Sequence, residues 1–410
     1  MKSTALPENG PLLIYAPVPV YRQDGVDFLE RQAANGLRLW AQNFAGVISM
    51  NPQAPGPPPP GWVPATEIAP WLDRVRMEPI PMAYRPDHFL RHLWPARHRI
   101  GALIDEARYL SFAIGGLFGD WGAVACYMAH RRGRPFAVWT DRVESEVTRL
   151  EMAAQRARTR WRARLTHGPM ARMERDVIKK APLGLFHGRE TYDTYASYSR
   201  NPHLVHDIHV AAENHIPPDR LARKIATAGV GPLRIIYAGR AEPMKGPLDW
   251  IETLIALEAQ GVPFQATWLG DGSERPEMMA RIAAAGLDHC IATPGFVSDP
   301  SVVLEALRDA HVFLFCHKTP ESPRSPIEAL ISGAVLVGYD GGFVRDITAE
   351  RQSGRFVAIG DRDGLVAELA ALDRDRDRLA GLMHLAVEDG APFDDVTVFR
   401  HRSDLIKQYL

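Results

Sequence analysis

Short apolar runs alternate with helical periodicity twice along this chain, and that alternation limits the folds open to it. Residues 12–16, 47–50, 109–114, 136–140 and 183–187 are compact apolar segments. Helical patterns fall between them, near 28–44, 86–92, 97–107 and 121–131. Strands that are apolar throughout, separated by helices, predict a parallel sheet covered on both faces. A second strand–helix series runs from Leu233 to about His384. Residues 75–82 read as one more strand, placed at an edge by Pro79 and Pro81. The Gly-Pro-Pro-Pro-Pro-Gly stretch inside 52–64 predicts an irregular surface segment. A long helical stretch over 144–180 is expected to break at Gly168-Pro169. Residues 203–230, with Pro217-Pro218, read as a connector, and 396–410 as an amphipathic helix.

A length of 410 residues suggests about two domains, and 46% hydrophobic residues supply ample core. The formal charge of −1 gives no global field for nucleic acid, and no basic, aromatic-interleaved motif for it is present. Cys126, Cys290 and Cys316 are widely spaced, as buried thiols in a reducing cytoplasm would be. The first residues, MKSTALP, lack the apolar core of a signal peptide, and no run of roughly 18 apolar residues predicts a membrane span.

The chemistry concentrates in 320–342, PESPRSPIEALISGAVLVGYDGG. Ser325-Pro326 reads as an N-cap and first helical residue, with Glu328 in the first turn. A helix start offers unpaired N–H groups to an anion, typically phosphate. A carboxylate there accepts from ribose or sugar hydroxyls. Upstream, LRIIYAGR (233–240) is a buried strand ending in Gly239 and Arg240, followed by Lys245-Gly246 and a helical pattern. Taken singly, each piece has a plainer reading: surface cations, a carboxylate favourable to a helix dipole, a tight Gly-Asp-Gly turn.

Together, in this order, 233–346 resembles the donor half of the retaining glycosyltransferases of family 4. The resemblance implies that Arg240 and Lys245 grip the diphosphate of a nucleotide sugar. It places Glu328 on the ribose hydroxyls beside Ser325, and Glu321 on the donor sugar. The turn at Gly272 follows the second strand, Phe296-Val297 lies where the nucleobase rests on backbone, and Gly341-Gly342 is the glycine pair near the donor. Glu321 and Glu328 stand seven positions apart, where the family usually has eight, and Arg345 replaces a common glutamate after the glycine pair. The implied fold is GT-B, an α/β architecture of two doubly wound Rossmann-like domains facing across a cleft. The expected domains are 1–205 on the acceptor side and 206–395 for the nucleotide sugar, with 396–410 returning to the first.

The first half departs further. No histidine follows the 136–140 strand, so Asp141 is the candidate polar group, with a helix cap as its other reading. In the loop after the first strand, only Gly25 permits close backbone approach. Gly115–Gly122 contains Asp120, an N-cap or site residue, and Trp121, a candidate floor for a sugar ring. His203, His206, His209 and His215 recur without the convergence a zinc site needs. The basic run Arg156, Arg158, Arg160, Arg162, Arg164, Arg172, Arg175, Lys179 and Lys180 is a solvated helix face or a surface for anionic lipid.

The resulting expectation is a cytoplasmic enzyme, peripheral on the inner membrane face if the basic run meets lipid. It would move a sugar from a nucleoside diphosphate sugar to a hydroxyl, with retention and without metal or other cofactor. The expected partners are the nucleotide sugar and a saccharide or lipid-linked saccharide, in cell-surface polysaccharide or glycolipid assembly. A non-catalytic sugar-nucleotide sensor or scaffold and a sugar-nucleotide epimerase remain as alternatives.

Overall fold

The apolar runs form strands that pair in parallel. The computed structural model describes residues 9–68, 71–151, 157–319 and 323–410, with the side chains of 68, 72, 150, 151 and 157–163 outside that description. Two units divide the chain, Met1–His209 with Asp395–Leu410 and Val210–Asp394.

Ten strands build the first unit's sheet: β1 Leu12–Tyr15, β2 Val20–Gln23, β3 Val26–Glu30, β4 Val47–Ala54, β5 Trp62–Pro64, β6 Val75–Pro81, β7 Tyr109–Ala113, β8 Ala137–Thr140, β9 Leu183–His187 and β10 Pro202–Val205. The parallel part runs β6-β4-β1-β7-β8-β9-β10, so strand order reverses direction between β1 and β7. Alternate residues of β1 feed two cores. Leu13 and Tyr15 pack with Ile100, Leu103 and Trp121, while Leu12 and Ile14 pack with Trp40, Phe399 and Ile406. That two-sided burial is why the strands read as apolar throughout. β2 extends β4 at Gln53 and Ala54, then turns back antiparallel through β3 and β5. The C-terminal helix Asp395–Tyr409 lies against Arg31–Asn43, with Phe399 and Trp40 rings 5.1 Å apart. The buried Arg402 guanidinium sits over Trp40 and binds Asp207 at 3.1 Å.

Six parallel strands form the second sheet: β11 Leu233–Ala238, β12 Phe264–Leu269, β13 Ile291–Gly295, β14 Val312–Phe315, β15 Val335–Tyr339 and β16 Arg355–Val357, in the order β13-β12-β11-β14-β15-β16. This is the doubly wound order, with its switch point between β11 and β14. Trp268 stacks on Tyr237 at 4.0 Å and meets Trp250 edge-on at 5.4 Å. Both tryptophans are fully buried. Each contributes on the order of 4–6 kcal/mol, taking about 150–250 Å² at about 25 cal/mol/Å² as an upper figure.

Several expectations need correction. Residues 28–30 belong to strand β3, and the helix begins at Arg31. The two helices expected over 86–107 are one, Pro86–Glu106, running through Pro95. The helix Ala157–Lys180 likewise continues through Pro169. Proline costs an interior helix about 3 kcal/mol. Here both prolines are solvent-exposed, and burial of Ala96 and Ile100, or of Met170 and Val177, anchors the turns that follow. β4 extends through Pro52 to Ala54, so the irregular segment starts later. The 203–230 stretch holds β10 and a helix, Pro218–Ala228. Its histidines turn to separate partners: His203 to Tyr409, His209 to Asp207 and Phe399, His215 to the Phe393 carbonyl. Among the described residues, no helix is long and apolar enough to cross a membrane.

Candidate functional site

The loops leaving β11, β12, β13, β14 and β15 all emerge at one edge of the second sheet, because those strands run parallel. Backbone bonds lock neighbouring loops together. Gly239 N–H donates to Leu269 O, Ala241 N–H to Asp271 O and Gly270 N–H to Gly295 O, each at 2.9 Å. Gly272 sits so close to the loop after β11 that a Cβ there would lie 2.5 Å from Ala241 O. The Glu242 carboxylate accepts from Ser273 N–H at 3.1 Å and its hydroxyl at 2.7 Å, which holds it below the usual carboxylate range.

Arg240 stands exposed directly after this tied segment and has no hydrogen bond or ion pair among the described residues. Lys245 ends a single helical turn, Pro243–Lys245, and is buried. Gly246 follows at φ +65°, where a Cβ would fall 2.2 Å from Cys316 O; only glycine lets the loop lie on the end of β14. Beneath it the Tyr237 hydroxyl and His317 Nε2 share a hydrogen bond of 2.8 Å. Burial, with the Lys245 ammonium nearby, holds the His317 imidazole well below its ordinary range and therefore neutral at pH 7. The fixed positive charge at this edge thus comes from side chains above the histidine.

The helix Ser325–Ile331 follows β14, with half-buried Glu328 in its first turn. Arg324, in helical conformation, occupies the cap position without a side-chain capping bond among the described residues; the helix starts one residue earlier than the sequence suggests. Glu321 falls within 320–322, outside the described residues. Gly341 and Gly342 follow β15 and open the turn Gly342–Ile347, where Arg345 pairs with Asp340. Phe296 and Val297 follow β13, Phe296 being 78% exposed.

Two further groups brace this edge and were not singled out from sequence. Asp249, in the first turn of Pro247–Ala259, binds Lys318 Nζ at 3.0 Å and accepts from Tyr339 Oη at 2.8 Å. Lys318 N–H donates to Met244 O at 2.9 Å. Three loops are therefore joined through one carboxylate. An acidic residue in a first helical turn just past Lys245-Gly246 was the available signal.

The first unit holds the remaining candidates. Asp141 is exposed at the end of β8. Gly25, with Asp24, has positive φ and forms the two-residue turn between β2 and β3, which accounts for the glycine. Trp121 is fully buried, its indole N–H donating to Pro81 O at 2.7 Å, so it is not an exposed floor for a sugar. It opens the helix Trp121–Arg131, whose first turn lies against the end of β7, where a Cβ on Gly122 would fall 1.8 Å from Ala113 O. Asp120 caps that helix, accepting from Ala123 N–H and Gly115 N–H, both at 2.9 Å. Burial pushes its carboxyl up to about 7 against those hydrogen bonds. It lies at the first unit's switch point, beside the end of β1.

Residues 219–382 match the family Glycosyl transferases group 1. The amylovoran biosynthesis glycosyltransferase AmsK of Erwinia amylovora is 27% identical over 165 residues, 39% of this chain and 40% of the relative. A 2-deoxystreptamine glucosyltransferase of Streptomyces kanamyceticus is 28% identical over 154 residues, 37% of this chain and 38% of the relative. This chain therefore aligns with less than half the length of these curated relatives. Among solved structures, Anabaena Alr3699/HepE in complex with UDP superimposes with a TM-score of 0.68 at 14% identity, covering 98% of this chain and 100% of HepE. The same Anabaena protein has also been solved with UDP-glucose. The chain has the GT-B fold, two α/β units with parallel sheets, and its second unit carries a glycosyl transferases group 1 domain.

Proposed function

We propose that this protein is a retaining glycosyltransferase that moves a hexose from a nucleoside diphosphate sugar to a hydroxyl acceptor. The observation that carries the reading is the carboxyl edge of β11–β15. There Lys245, a helix start bearing Glu328, the Gly341-Gly342 turn and Arg240, which has no ion pair among the described residues, gather at a switch point. The UDP and UDP-glucose complexes of HepE support a nucleotide sugar as the ligand.

In this reading Arg240 and Lys245 hold the diphosphate, and Glu328 takes the ribose hydroxyls beside Ser325. Gly239 and Gly272 keep the loops close, Phe296 and Val297 flank the base, and Glu321 with Gly341 and Gly342 faces the sugar. The bond from the anomeric carbon to the diphosphate oxygen breaks while the acceptor oxygen bonds to the same face. The acceptor proton passes to the departing phosphate oxygen. Negative charge grows on the leaving group, where the fixed cations lower the barrier. These roles need no metal or other cofactor. Asp141 and Asp120 are the acceptor-side groups of the first unit.

The acceptor is a saccharide or lipid-linked saccharide of cell-surface polysaccharide or glycolipid assembly, acting at the cytoplasmic side. AmsK, by name an amylovoran biosynthesis glycosyltransferase, favours that acceptor. A thermal-shift panel of nucleotide sugars tests the ligand class, because a ligand bound only to the folded state raises the melting temperature. Nucleoside diphosphates that produce no shift at 100 times a micromolar Kd would defeat the assignment.

A further inference from the structure

On the first unit the helix Pro86–Glu106 exposes Leu90 at 66% and Trp94 at 73%, one turn apart. Two apolar side chains this large and this bare on one helix are unusual for a surface that meets only water. Beside them an open groove of about 270 Å³ runs between this helix and Trp121–Arg131, lined by Leu93, Arg97, Val124, Tyr127, Met128 and Arg131. The Arg97 guanidinium lies over the Trp94 ring, 5.2 Å from its centroid. Arg91, Arg97 and Arg131 have no carboxylate partner among the described residues. The nearby acids are taken: Asp87 by Arg85, Asp176 by Lys180 and the Tyr127 hydroxyl.

We infer that this face docks on an anionic phospholipid bilayer, with Leu90 and Trp94 entering the headgroup boundary and the three arginines on lipid phosphates. The inference rests on these helices alone and stands independently of the nucleotide site. Apolar anchors flanked by unpaired cations are what an interfacial helix needs. An acidic protein partner is the poorer match. Continuous helices offer a peptide no free backbone N–H or C=O, and the groove is apolar between its arginine rims. The inference needs none of the basic run that the sequence offered for this task. Its residues Arg156–Arg162 lie outside the described side chains, while Arg175 and Lys179 lie over Tyr198 and Lys180 pairs with Asp176.

The test is co-sedimentation of the full chain with vesicles of pure phosphatidylcholine and of phosphatidylcholine with 30% phosphatidylglycerol, at low and high salt. Wild type should sediment with the anionic vesicles at low salt and be released by high salt. Each arginine contributes about fivefold in partition, so R91Q/R97Q/R131Q should lose on the order of 100-fold. L90S/W94S should weaken binding even at low salt. These side chains are exposed, and unchanged melting temperatures and UDP binding would show that both variants fold. No sedimentation of wild type at low salt overturns the inference. So does undiminished binding by both variants, or loss caused only by R158E/R162E. Equal capture by polyglutamate beads, abolished by the same variants, would assign the face to an acidic protein and overturn the lipid.

Discussion

Replacing Arg240 by alanine separates binding from folding more cleanly than any other change at this edge. The side chain is exposed and unpaired among the described residues, so its removal opens no cavity and strands no buried partner. Stability should change by less than about 0.5 kcal/mol. A charge-assisted hydrogen bond to a diphosphate contributes about 1.5–3 kcal/mol, which is roughly 10- to 150-fold in Kd. Because the site edge is open to water and salt, the lower half of that range is expected near 0.15 M ionic strength. Isothermal titration with UDP reads the affinity, and a thermal melt without ligand reads the fold. A tenfold or greater weakening with an unchanged melt supports the role. An R240A Kd within twofold of wild type, together with an unchanged K245M, would refute the idea that these cations hold a diphosphate.

Three other changes probe the remaining links. Glu328→Gln keeps the side chain's shape, so the helix should survive while UDP affinity falls; the variant should no longer distinguish UDP from its 2′,3′-dideoxy form, and undiminished discrimination by titration would remove the ribose role. Gly246→Ala places a Cβ on Cys316 O at a φ of +65°, so it should lower the melting temperature and weaken UDP binding together; a variant with wild-type melting and affinity would show that the loop has another way to lie. Asp120 binds its proton more tightly folded, at about 7, than unfolded, near 3.8. Its contribution to stability is therefore fully present below about pH 4 and lost as pH rises through 7. Asp120→Asn should remove that loss, so denaturant midpoints of variant and wild type should diverge in the variant's favour between pH 5 and pH 8, and a constant difference would contradict the burial argument.

The second unit was the more legible half for a physical reason. β14 and β15 are buried along their whole length, so their apolar runs are continuous, and glycine punctuates the ends where loops crowd together. Proline misled the reading of the first unit. Pro52, Pro95 and Pro169 each signal a break locally, yet each sits inside an element whose neighbours are anchored by packing that sequence does not display. β3 was hidden because Phe28 and Leu29 fit a helical period equally well and only the Asp24-Gly25 turn with β2 decides for a strand. Trp121 was misjudged because a glycine-rich loop suggests exposure, whereas the indole is swallowed by the core as its helix begins. The cations and glycines of the candidate site could be read from spacing. Their bracing by Asp249, Tyr339 and His317 could not, since those contacts join three separate loops.

The most direct test of the central proposal is nucleoside diphosphate release from a panel of nucleotide sugars, followed by chromatography of the sugar products. The account predicts slow liberation of nucleoside diphosphate and free sugar without acceptor, accelerated by a hydroxyl acceptor that becomes glycosylated, and lost in R240A. Binding without any release would point to a sensor, and conversion of one nucleotide sugar into its epimer with the diphosphate intact would contradict the transfer reaction outright.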